Sequence, residues 1–254
     1  MIDESRHLIW DGCWNVRHLG GFRIEGLGKT REGALIRSGN LARLSIQGQA
    51  AIREADVSAI IDVRSAYELK IEANPFATSK QASQLPTYYH LPLMNEDDLE
   101  AMRLVNTAPS LLAMYQIMLE HFMLNIAAIM IAIADAPPGA VVIHCHAGKD
   151  RTGLVVALVL RLTGVSPEDI ARDYALSDLY LQSQYQEMLA QKTNSEERIS
   201  LAAQLTSKPE TMENLLQHIE DHYGGVGAYL KLCGVRENSL DRITQRMLGT
   251  ASTA

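Results

Sequence analysis

The sequence predicts one α/β domain over residues 1–254, with short strands alternating with helices. Three observations predict it. Short apolar runs of strand length are separated by segments of helical spacing. One run, residues 140–144 (AVVIH), leads through a glycine-containing loop into residues 152–162 (TGLVVALVLRL), apolar nearly all round as a buried helix requires. Finally, 47% of the residues are hydrophobic and 21% charged, which suits one well-filled core.

In chain order, residues 34–37 and 58–63 are candidate strands, the second rich in β-branched side chains. Residues 88–93 are a third and 140–144 a fourth. Between them, 45–55 and 109–134 have helical length and spacing, and Pro137-Pro138-Gly139 ends the longer helix. Met212, Leu215, Leu216, Ile219 and Tyr223 recur at helical spacing, with Pro209 early and Gly224-Gly225 as the stop. Residues 176–206 are polar and helix-prone without a wide apolar face, which fits a solvated helical pair or a movable lid. No repeat or low-complexity linker marks a second domain.

The formal net charge is −7, so general attraction to nucleic acid or to an anionic membrane is not expected, and any anion site must be locally positive. Three cysteines, Cys13, Cys145 and Cys233, lie far apart without a CxxC pair, against both a disulfide framework and a zinc site. The histidines show no metal spacing, so neither metal nor cofactor is expected. The longest apolar stretch, 122–134, contains Asn125 and is too short to span a bilayer, so no stable membrane insertion is expected. The opening residues lack a basic region followed by an apolar run. The default expectation is a cytoplasmic protein, with secretion by a route that needs no signal peptide left open. Oligomeric state leaves no mark in the sequence.

The chemistry concentrates in His144-Cys145-His146-Ala147-Gly148-Lys149-Asp150-Arg151-Thr152-Gly153. A cysteine and an arginine separated by five residues are weak evidence alone; their place on a strand-to-helix turn, with an internal glycine and a following hydroxyl, makes them specific. A free thiol is mostly protonated at neutral pH, but Cys145 at a helix N-terminus faces unpaired N–H groups and the positive end of the helix dipole. The amides of His146, Ala147, Gly148 and Lys149, curled into a nest, can hold the oxygens of a phosphoryl group. Gly148 supplies the backbone freedom and Ala147 keeps the loop narrow. Arg151 offers a planar two-pronged donor to phosphate, and Thr152 can hydrogen-bond the sulfur. The reaction that fits is displacement at phosphorus by Cys145, followed by hydrolysis of a phosphocysteine.

Asp150 is the first candidate for the general acid that protonates the leaving group; it could instead pair with Lys149 or orient Arg151. Asp97 and Asp98 are rival acids on a loop after the third strand. Lys149 is either a local cation for the anion or a surface lysine. Asp62 and Arg64, at the end of the second strand, either border the pocket or form an internal ion pair. His144 is expected to hydrogen-bond the loop backbone, and the His146 ring to face solvent. Cys13 and Cys233 read as packing residues. Two further readings compete with a phosphatase: a catalytically idle phosphate-binding module and a rhodanese-type sulfurtransferase.

The run HCHAGKDRTG resembles the signature of the bacterial atypical tyrosine and phosphoinositide phosphatases. Further blocks resemble that family in the same order: Asn15-Val16-Arg17-His18-Leu19-Gly20-Gly21, Arg37-Ser38-Gly39-Asn40-Leu41, Ile61-Asp62-Val63-Arg64-Ser65 with Glu68, and Tyr223-Gly224-Gly225-Val226 before Tyr229-Leu230. The resemblance implies a tyrosine-phosphatase-like fold, with a central, mostly parallel sheet flanked by helices. It implies phosphorylated protein or phosphoinositide as substrate, and Asp150 as the acid beside Lys149. His18 departs from the aspartate usual there, which leaves the role of the first block open. A mycobacterial member carries a helical lid, and residues 176–206 are the place to look for one.

Overall fold

The computed structural model describes residues 4–77 and 86–248. Its strands are β1 (Arg17–His18), the hairpin β2 (Arg23–Ile24) and β3 (Gly28–Lys29), then β4 (Leu35–Ser38), β5 (Val57–Asp62), β6 (Thr87–His90) and β7 (Ala140–His144). The five strands outside the hairpin form one sheet in the order β1-β4-β7-β5-β6, parallel except for β1.

Period-2 alternation explains why this sheet is covered on both faces. All of β7 is buried, and its side chains divide: Val141 and Ile143 enter one apolar cluster, Ala140 and Val142 the other. Leu35 and Ile36 of β4 divide the same way. The smaller cluster packs against α1 (Ile46–Glu54) through Ile52 and against Trp10, Leu41 and Phe76. After the short α2 (Ala66–Ile71) come α3 (Leu99–Asn106), α4 (Leu111–His121), α5 (Met123–Asp135), α6 (Asp150–Thr163) and α7 (Pro167–Tyr180). The chain then forms α8 (Gln182–Ala190), α9 (Ser195–Leu205), α10 (Pro209–Tyr223), α11 (Val226–Leu232) and α12 (Glu237–Leu248). The larger cluster takes side chains from α3 to α7 and from α10 to α12. Residues Leu154 to Leu160 of α6 are buried without interruption, which makes it the central helix of that layer.

The strands predicted at 34–37, 58–63, 88–93 and 140–144 appear as β4, β5, β6 and β7, each within a few residues of the expected ends. The single helix expected over 109–134 is a correction. It breaks at Phe122 into α4 and α5, which meet at 81°. Phe122 leaves helical geometry (φ −115°, ψ 33°) and buries its ring, so both helices turn an apolar side to the same core. Among the described residues, no single helix is long and apolar enough to cross a membrane. The first five residues of 176–206 belong to α7; the rest form the surface pair α8–α9, in which no residue is wholly buried.

The parallel strands β4, β5, β6 and β7 share a direction, so their C-terminal ends lie along one edge of the sheet. That edge is where open α/β sheets bind ligands, and it is where the cysteine loop sits.

Candidate active site

Cys145 is the first residue beyond β7, and α6 begins five residues later at Asp150. The loop between is held from outside by its carbonyls. His146 O accepts from the Asn40 amide (2.8 Å). Asn15 Nδ2 donates to both Ala147 O (3.0 Å) and Gly148 O (3.1 Å). Arg37 NH2 donates to Gly148 O (2.7 Å) and Lys149 O (3.3 Å). Those oxygens are held by groups outside the loop, and among the described residues no backbone N–H from His146 to Arg151 donates to a protein acceptor. Gly148 is required twice over: its φ is +68°, and a Cβ there would stand 2.3 Å from Ser38 O.

Behind the loop, Asp173 of α7 is buried among three arginines. Arg6 and Arg17 reach its Oδ1 (2.7 and 3.0 Å) and Arg37 its Oδ2 (2.7 Å). Burial favours the neutral acid, yet the charges of Arg17, Arg37 and Arg6 override it and hold Asp173 well below the usual carboxylate range. Burial and the neighbouring Arg37 charge lower Arg17 to about 10, against the pull of Asp173. Three guanidiniums facing one carboxylate leave surplus positive charge against the loop of a chain that is acidic overall. Asn15 and Arg17 give the N-terminal block a function: they brace the loop. His18 does not join them; its Nδ1 accepts from the Gly20 amide and shapes the turn.

Arg151 is fixed by Glu68, a residue whose role the sequence does not disclose. NH2 and NH1 each meet one oxygen of that carboxylate, the first at 2.8 Å. Glu68 is itself placed by a capping box, in which the Ser65 amide donates to Glu68 Oε2 (2.9 Å) and the Glu68 amide to Ser65 Oγ (3.1 Å). Burial raises the Glu68 carboxyl, but the hydrogen bond and charge of Arg151 bring it down to about 2. Burial lowers Arg151, but the Glu68 hydrogen bond, then the charges of Cys145, Glu68 and Asp150, carry it above its ordinary value. A guanidinium has five N–H donors, so this pairing leaves Nε and an adjacent N–H for a second anion. The Thr152 hydroxyl is buried one residue on, with no protein partner.

The two remaining loop side chains point elsewhere. Lys149, expected at the phosphate, directs its ammonium to the end of α9, where Gln204 O (2.6 Å), Leu205 O (3.0 Å) and Thr206 O (3.3 Å) accept from it. A helix C-terminus offers unpaired carbonyls and negative potential, and it has captured this cation. Asp150 is one-third exposed, 3.6 Å from the Lys149 ammonium, and accepts a 2.5 Å hydrogen bond from the Tyr115 hydroxyl. Of the rival acids, Asp98 caps α3 by accepting from the Ala101 amide (3.0 Å), and Asp97 is exposed.

Of the two readings left open for Asp62 and Arg64, the structure shows the internal ion pair, with both side chains fully buried. Arg64 NH2 and Asp62 Oδ2 pair at 2.7 Å, and Tyr88 OH, Asn74 and His144 converge on the same carboxylate. Burial would raise Asp62, but His144 and Arg64 hold it far below the ordinary range. This knot locks the ends of β5 and β7 side by side under the loop. His144 Nδ1 also lies 3.3 Å from Cys145 O, and the His146 ring is exposed. Desolvation pushes the half-buried Cys13 thiol up to about 12, and burial raises Cys233.

A sequence model described as "Tyrosine phosphatase family" matches residues 8–249. The chain belongs to that family. Among its relatives are a "Tyrosine-protein phosphatase" of Nostoc commune, 28% identical over 84% of this chain and 74% of the relative. The "Triple specificity protein phosphatase PtpB" of Mycobacterium tuberculosis is 26% identical, covering 94% of this chain and 98% of its own. A "Putative tyrosine-protein phosphatase" of Cupriavidus necator is 28% identical over 69% of this chain. Tyrosine phosphatase membership sets aside the sulfurtransferase reading.

Proposed function

We propose that this protein is a cysteine-dependent phosphatase that hydrolyses phosphotyrosine monoesters, with phosphoserine, phosphothreonine and phosphoinositide monoesters as further substrates. The observation that carries the reading is the loop beside Cys145 and Arg151 whose carbonyls are held from outside while its amides have no protein acceptor. Phosphoryl oxygens accept from those amides and from the free edge of Arg151. The Cys145 thiolate forms a bond to phosphorus while the ester P–O bond breaks, and the leaving oxygen takes a proton from Asp150. Water then attacks the phosphocysteine, giving its proton back to Asp150, and the P–S bond breaks to release phosphate and thiolate. Thr152, with a buried hydroxyl lacking a protein partner, donates to the departing sulfur. The amides and Arg151 stabilise charge on the equatorial oxygens throughout.

The pair α8–α9 is the lid in this reading. Its α8 tyrosine, Tyr185, has a buried hydroxyl with no protein partner. Burial, then the charges of Asp150, Asp178, Tyr174 and Cys145, raise that phenol, which supports a place over the reacting groups. Lys149 is the clasp. With three N–H donors spent on three α9 carbonyls, it reaches a substrate phosphate only when the lid lifts.

Hydrolysis of p-nitrophenyl phosphate by the wild type, and its loss in Cys145→Ser, tests the nucleophile. Robust turnover by Cys145→Ser overturns the assignment. A panel of phosphopeptides and phosphoinositides under one set of conditions tests the substrate range.

A further inference from the structure

The hydroxyl of Tyr115 is buried in α4, a helix that contributes nothing to the cysteine loop itself, yet it ends on Asp150 Oδ1 at 2.5 Å. Its oxygen lies 2.7 Å from the Tyr174 hydroxyl of α7, which is equally buried. Each phenol has one proton to give. An ionised carboxylate only accepts, so Tyr115 gives its proton to Asp150, and Tyr174 must then give its own to Tyr115. Both phenols are raised by burial and then by the Asp150 charge, so the two hydroxyls stay protonated wherever the carboxyl titrates.

We infer that Tyr115 is a positioning residue for Asp150: it occupies Oδ1, turns the carboxyl toward the pocket, and confines the transferable proton to Oδ2. This rests on Asp150 being the general acid. Other charged and titratable groups share the neighbourhood of that carboxyl. Lys149 stands 3.6 Å from the same Oδ1. Arg151 on its own helix, Tyr174 on α7 and Tyr185 on α8 all feel its charge. Tyr115 donates the neutral hydrogen bond among them, and that bond is stronger to the ionised carboxylate than to the protonated acid. Its removal therefore makes the proton harder to lose, and it frees the carboxyl to rotate away from the leaving oxygen.

The test uses the full chain and three variants: Tyr115→Phe, Tyr174→Phe and Asp150→Asn. Tyr115→Phe should move the basic limb of the kcat profile upward by ~1–2 pH units, the equivalent of one hydrogen bond to a charged group. It should also lower kcat on an aryl phosphate with a poor leaving group by about tenfold, with KM little changed and p-nitrophenyl phosphate less affected. Tyr174→Phe should shift the limb in the same direction by less. In the Asp150→Asn background, Tyr115→Phe should add nothing. If Asp150→Asn shows the leaving-group dependence of a lost acid while neither phenylalanine variant moves the limb, the positioning role is wrong and the acid assignment stands. If Asp150→Asn shows no such dependence, the acid assignment fails, and this inference with it.

Discussion

Replacing Glu68 by glutamine probes how Arg151, the proposed phosphate-binding arginine, is held. In the wild type, two carboxylate oxygens meet two guanidinium nitrogens, and one of them also receives the Ser65 amide. Glutamine keeps one acceptor and the helix cap but loses the charge and the second oxygen. A charge-assisted hydrogen bond contributes ~1.5–3 kcal/mol. If that loss appears in full as misplacement of Arg151, kcat/KM falls by about 10- to 100-fold, or ~1.4–2.8 kcal/mol. Stability gives a second readout. Glu68 is held from 4.5 down to about 2, and its side chain is a quarter exposed. Linkage caps its contribution at ~3 kcal/mol, and solvent screening reduces that to ~1–2 kcal/mol. Because the folded-state value is depressed, the contribution is complete above pH 4.5 and is lost as pH falls toward about 2. Denaturant titrations of wild type and Glu68→Gln should therefore show a gap at pH 7 that closes across that window. A kcat/KM within twofold of wild type, or a gap that ignores pH, refutes the reasoning.

Three other perturbations follow from the same geometry. Gly148→Ala places a methyl 2.3 Å from Ser38 O at a φ of +68°, so it should lower stability by at least ~1 kcal/mol and abolish phosphate protection in a thermal melt. Asp173→Asn leaves three buried guanidiniums without their counter-charge and should cost ~3–5 kcal/mol in a urea titration. Lys149→Met releases the end of α9, so hydrogen exchange should accelerate at residues 195–206 and not in α6; unchanged exchange in α9 counts against the clasp.

The legible parts of this protein were those encoded within a few residues of one another. β7, the loop and α6 could be read because an apolar strand, a glycine and an all-apolar helix adjoin in sequence. β1, two residues long, leaves no periodic signal and exists through its partner Arg37–Ile36. The bend at Phe122 was hidden because α4 and α5 are apolar on both sides of it, and only packing decides where the axis turns. The supports of the site were harder still. Glu68 stands 83 residues from Arg151, Asn15 132 from Ala147, and Arg37 111 from Gly148. Asp62 and Arg64 lie two apart, so their pairing could be suspected, but their complete burial depended on the sheet around them. For Lys149 the sequence shows a cation beside a candidate anion site, and the competing acceptors, the carbonyls of a helix end, are visible only in the fold.

Rapid acid quench of the full-length protein during turnover of a phosphotyrosine peptide, followed by mass spectrometry, examines the chemistry at its centre. A phosphoryl group on the Cys145 sulfur, absent from Cys145→Ser, is the result expected. A phosphoryl group on another side chain, or steady hydrolysis with Cys145 never modified, would contradict the account.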